Sequence, residues 1–106
     1  MAPQIPSRLT LVTAGELRRR FNAGGYAQQV AVGQLRSEVK RESHPSPPLA
    51  AEPFCTRSQI LVYLDSTGAP IAIVHQYLRP DGTVGLGGRP DPKWLREGRE
   101  EYRLKR

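Results

Sequence analysis

Two apolar runs constrain what this chain can fold into: SQILVYL at 58–64 and PIAIVHQYL at 70–78, separated by DSTGA at 65–69. Both runs are rich in β-branched and aromatic residues, and the segment between them is built of turn formers. The pattern predicts a β-hairpin over 58–78. Successive strand residues point to opposite faces. Ile60, Val62 and Leu64 therefore oppose Leu61 and Tyr63, and Ile71 and Ile73 oppose Ala72, Val74 and Leu78. Both faces are apolar, so both are expected to be covered, and a lone hairpin is marginal in water. Ile60, Val62, Ile71 and Ile73 are expected in the core, with a helix on one face and further strands beside the hairpin.

The helix is legible upstream. Thr13-Ala14-Gly15-Glu16 has the spacing of a capping box. Leu17 and Phe21 follow four apart, on one helical face. Gly24-Gly25 can end the helix in a left-handed turn. This predicts a helix over about 14–23, whose outer surface carries Arg18, Arg19 and Arg20. Residues 28–42, QQVAVGQLRSEVKRE, satisfy helical spacing through Ala31, Leu35 and Val39. They also satisfy strand alternation from Leu35 onward. The hairpin needs a partner, so strand is favoured, with Gly33 at a bulge.

Other segments read as connections. Residues 1–8 hold two prolines and read as a loose tail, and the four prolines in 43–54 read as a linker or surface loop. Arg79-Pro80-Asp81-Gly82 is a turn. Asp91-Pro92 has the form of an N-cap and first helical residue, so PKWL reads as one helical turn. Residues 99–104 read as a last strand with Tyr102 and Leu104 inward. The whole is expected to be one α+β domain over 1–106: a small antiparallel sheet of three to four strands around the central hairpin, with one main helix.

Composition limits the partners. The chain has 106 residues, 16 Lys and Arg against 10 Asp and Glu, and a net charge of +6. Residues 1–43 carry +4, 44–78 carry −1 and 79–106 carry +3. Basic ends favour nucleic acid or an acidic protein surface as partner. Arg18, Arg19, Arg20, Arg89, Lys93, Trp94 and Arg96 are the candidate contacts, with Trp94 able to stack on a base. Against this, Glu97, Glu100 and Glu101 are interleaved with the last arginines, as on a solvated face.

Cys55 is the sole cysteine, so no internal disulfide forms, and a reducing cytoplasm is the expected home. The first twenty residues lack the pattern of a secretory signal, and no apolar stretch reaches membrane-span length. His44, His75 and Cys55 lack ligand spacing, so no metal and no cofactor is expected.

The remaining chemistry lies in residues 74–95, VHQYLRPDGTVGLGGRPDPKWL. Gly85-x-Gly87 is followed by Pro90 where a dinucleotide-binding loop needs glycine, so turn glycines outrank a phosphate cradle. His75, Tyr77 and Arg79 share a strand face. With Asp81 and Lys93 they form the one constellation able to cleave RNA, His75 serving as general base. Asp81 stands in a Pro-Asp-Gly turn, where aspartate bonds its own backbone. A non-enzymatic role is therefore preferred.

The segment H-x-Y-L-R-P-D-G-T-x-G followed by G-x-P-D-P-K, from His75 to Lys93, resembles a segment of small uncharacterised bacterial proteins. The resemblance implies a bacterial or mobile-element origin and carries no residue roles. Three functions stay open, in this order: a binding module for nucleic acid or an acidic partner, a small ribonuclease of the toxin kind, and an accessory or inhibitor protein. The oligomeric state is open as well.

Overall fold

The computed structural model describes residues 8–43 and 51–105. In chain order the elements are β1 (Arg8–Val12), α1 (Ala14–Ala23), α2 (Tyr26–Ala31), β2 (Arg36–Ser43), β3 (Arg57–Leu64), β4 (Pro70–Leu78), α3 (Gly85–Gly88), β5 (Asp91–Glu97) and β6 (Glu100–Leu104). The strands form a single six-stranded sheet in the order β1-β6-β5-β4-β3-β2. Strands β2 to β6 make an antiparallel meander, and β1 joins the far edge parallel to β6. The α1–α2 segment connects the two edges of the sheet.

This overturns the expected small antiparallel sheet with one main helix. The sheet is mixed, has six strands, and dominates over two short helices and one helical turn. The hairpin and the 14–23 helix stand inside that larger frame. Thr13 Oγ1 accepts from the Glu16 backbone N–H at 3.1 Å, and Gly25 takes the left-handed conformation at φ 66°.

Each added strand has a local reason. Strand β1 begins at Arg8, the last residue of the expected tail; residues 1–7 of that tail lie outside the described residues. Its partner is about ninety residues away, so no local turn announces it. The ambiguous 28–42 segment divides: its first part is α2 and its second part is β2. Gly33, at φ 82°, turns the chain between them, and the bulge falls at Val39/Arg41 instead. The linker begins after Ser43, and residues 44–50 with His44 also lie outside the described residues.

PKWL is strand rather than helical turn. Pro92 pairs with Val74 next to a register shift in the β4–β5 ladder. A strand's beginning and a bulge are the places where a sheet accommodates a residue without an N–H. The last strand is found at Glu100–Leu104 with Tyr102 buried.

The core lies on one side of the sheet. Leu17 and Phe21 of α1 pack with Val12, Leu61, Tyr63, Ala72, Val74, Leu95 and Tyr102, and α2 adds Tyr26, Ala27 and Val30 at the margin. Phe21 stacks on Tyr63 with ring centroids 5.9 Å apart. These positions alternate along each strand with the opposite face, which neither α1 nor α2 covers. The expectation that both hairpin faces are covered holds in part: no described helix covers this second face, yet Val62 and Leu64 on it are buried. Val62 is buried, but Ile60, Ile71 and Ile73 are only half-buried.

Candidate functional site

The sheet face away from α1 and α2 can be read strand by strand from the register, because directly paired residues share a face. Ile73 pairs with Val62 on one side and Trp94 on the other. Trp94 pairs with Arg103, and Arg103 with Leu11. Leu9, Leu11, Ile73 and Trp94 line a shallow groove of about 1100 Å³. Leu9 and Leu11 are 52% and 54% exposed, on a strand at the free edge of the sheet. Lys93, Arg103 and Lys105 bring positive charge to the same groove. On the far side, Arg36 and Arg41 of β2 pair with Leu64 and Ile60.

The Trp94 indole is held in place. Its Nε1–H donates to Glu101 at 2.7 Å, and Arg103 bonds the same carboxylate at 2.9 Å. The indole hydrogen bond and the arginine together hold the Glu101 carboxyl below its ordinary range.

His75 sits one step along β4 from Ile73. Its Nε2 is 2.8 Å from Ser58 Oγ, and its ring meets the Tyr77 ring edge-on at 4.6 Å. Partial burial depresses its pKa, Lys93 adds to the effect, and Asp91 opposes it. The net shift favours the neutral imidazole.

The other members of the nuclease constellation are engaged elsewhere. Arg79 Nε donates to Glu52 at 2.8 Å, and the Glu52 side chain is only 4% exposed. Asp81 Oδ1 accepts from the Thr83 backbone N–H at 2.9 Å and from its hydroxyl at 2.7 Å. Lys93 Nζ bonds Asp91 at 2.9 Å. His75 and Tyr77 are brought together; Arg79 and Asp81 are committed to loop structure. The glycines serve the same loop. Gly82 takes φ 87°, and a Cβ on Gly85 would run into the Glu52 carboxylate.

The predicted cationic residues divide between the two faces. On the helix side, Arg18 Nε donates to Asp91 at 3.1 Å, while Arg20 stacks 4.2 Å over the Tyr102 ring. Arg19 is exposed. Arg89 lines a small hollow with Arg18 and Asn22. Arg96 pairs with Glu101 in the β5–β6 ladder. Lys93 and Trp94 alone of the set line the groove. Sequence reasoning did not place Leu9, Leu11, Arg36, Arg41 or Ser58 at a site; the alternation of β1 and β2 carries that signal only once their partners are known.

Among the described residues, no group of three or more His, Cys, Asp or Glu side chains could hold a metal ion. Nor is any helix among them long and apolar enough to cross a membrane. No family model, no curated protein and no solved structure matches this chain.

Proposed function

We propose that this protein is a non-enzymatic binding module for nucleic acid, which it engages through the open face of the sheet. Charge distribution is the observation that carries the reading. Six of the 10 carboxylates are in ion pairs: Glu38, Glu42, Glu52, Asp91, Glu97 and Glu101. Asp65 and Asp81 accept from threonines in their own turns. Arg36, Arg41 and Lys105 are in no ion pair among the described residues. The face thus joins an aromatic and apolar centre to cations at its margins, with Glu38 between Arg36 and Arg41 on β2, a combination suited to bases and phosphates together.

Binding of a labelled oligonucleotide at low and moderate salt tests this. Affinity should fall as salt rises, because phosphate contacts release counterions. A second reading, an accessory protein that adds a strand from its partner, is favoured by the half-exposed Leu9 and Leu11 on the free β1 edge. Salt-insensitive binding to a protein, with no oligonucleotide binding, would select it.

A further inference from the structure

Resting on that reading, we infer that the nucleic acid taken by the open face is single-stranded, with unpaired bases stacking on Trp94 and its apolar neighbours. Shape favours a single strand. A six-stranded sheet is about 24 Å wide at the ordinary strand spacing. The major groove of a duplex is about 12 Å wide and admits a helix or a two-stranded ribbon. This face cannot enter it, and a duplex would have to be bent and its minor groove opened, at a cost of unstacking, before its bases met the sheet.

The chemistry at the centre of the face favours it as well. The Trp94 N–H is occupied by Glu101 at 2.7 Å, so the ring has no donor left for a base edge. Ile73, Leu9 and Leu11 have no polar atoms in their side chains. What the centre offers is apolar surface and an indole whose N–H is already tied down. A duplex hides its base faces against each other; an unpaired strand exposes them.

Charge is placed to match. Arg36 and Arg41 on β2 lie three strand spacings from β5, about 14 Å. Lys105 and Arg103 flank the groove on the other side. A strand crossing the sheet would meet cations at both ends of its path and the aromatic centre between them.

The test uses the whole protein and a labelled oligonucleotide of about 15 nucleotides, single-stranded and as its duplex. Trp94 is the sole tryptophan, so its emission reports the site directly. The single strand should bind at least about tenfold tighter than the duplex and quench Trp94 emission. Trp94→Ala should weaken single-strand binding about tenfold to a hundredfold, with duplex affinity unchanged. Lys105→Gln, at an exposed position, should weaken binding without unfolding the chain, which guards against a misfolded Trp94 variant. Duplex binding as tight as single-strand binding, or unchanged tryptophan emission on binding, would overturn the inference while leaving the nucleic-acid reading in place. Binding of neither form would remove that reading and the inference with it.

Discussion

Ser58 Oγ and His75 Nε2 lie 2.8 Å apart across the β3–β4 ladder, and the histidine ring is also packed edge-on against Tyr77. Partial burial, with Lys93 nearby, lowers the His75 pKa below the ordinary histidine value and favours the neutral imidazole in the folded chain. Between the folded and unfolded pKa values the unfolded chain binds more protons, so stability rises with pH there and is lost as pH falls below about 6.5. Thermal denaturation between about pH 7 and 5 should show a falling midpoint. His75→Phe should show a smaller fall over that window. Equal slopes for the two proteins would show that His75 does not carry this linkage.

The same contacts predict the absence of nuclease activity. A general base needs a substrate group within hydrogen-bond reach, and His75 Nε2 already faces Ser58. Arg79 and Asp81, the cation and the orienting partner required by the cleavage reading, are bound to Glu52 and Thr83. Purified protein incubated with mixed RNA and DNA, with and without divalent metal, should leave both intact. Cleavage that vanishes in His75→Ala while the fold is retained would reverse this conclusion.

The two faces of the sheet should differ in their tolerance of truncation. Leu95 is fully buried under α1, and Leu95→Ala should cost about 2–5 kcal/mol. Ile73 lies half-buried on the open face, and Ile73→Ala should cost less, on the order of 1 kcal/mol. Denaturant titration of both variants checks the ranking. A larger loss for Ile73 would mean that its face is covered in solution.

The Glu52–Arg79 pair ties the segment before β3 to the turn after β4. Arg79→Ala leaves a carboxylate that is 4% exposed without its counter-charge, and breaking a buried pair costs more than replacing it. Glu52→Gln removes the charge and keeps an acceptor. The Arg79→Ala midpoint should therefore fall below that of Glu52→Gln. Restoration of stability in the double variant would confirm the coupling, and additive losses would refute it.

Salt dependence should separate the arginines of α1 from the cations of the open face. Contacts to about three or four phosphates predict a slope of log affinity against log salt of about −2 to −3 for a single strand. Changing Arg36, Arg41 and Lys105 together to glutamine should flatten that slope. Changing Arg18, Arg19 and Arg20 should leave it unchanged, because they lie on the helix side and two of them already hold Asp91 and Tyr102. The reverse result would move the interface onto α1.

Local pattern determined much of the interior by itself. The β-branched and aromatic runs SQILVYL and PIAIVHQYL on either side of DSTGA specified the hairpin, and Thr13, Leu17, Phe21 and Gly25 specified the helix with its ends. These signals act over a few residues, through side-chain period, caps and turns. The rest was decided by partners distant in sequence. RLTLV is a strand because its backbone pairs with Glu100–Leu104. DPKWLRE is a strand because a register shift beside Val74 accepts Pro92, where local propensity favoured a helical turn. The candidate site follows the same division. Trp94, Lys93 and His75 stand out by residue type, but Leu9, Leu11, Arg36 and Arg41 join their face only through sheet order. A side chain's period assigns it to one of two faces; only tertiary packing decides which of the two the helices cover.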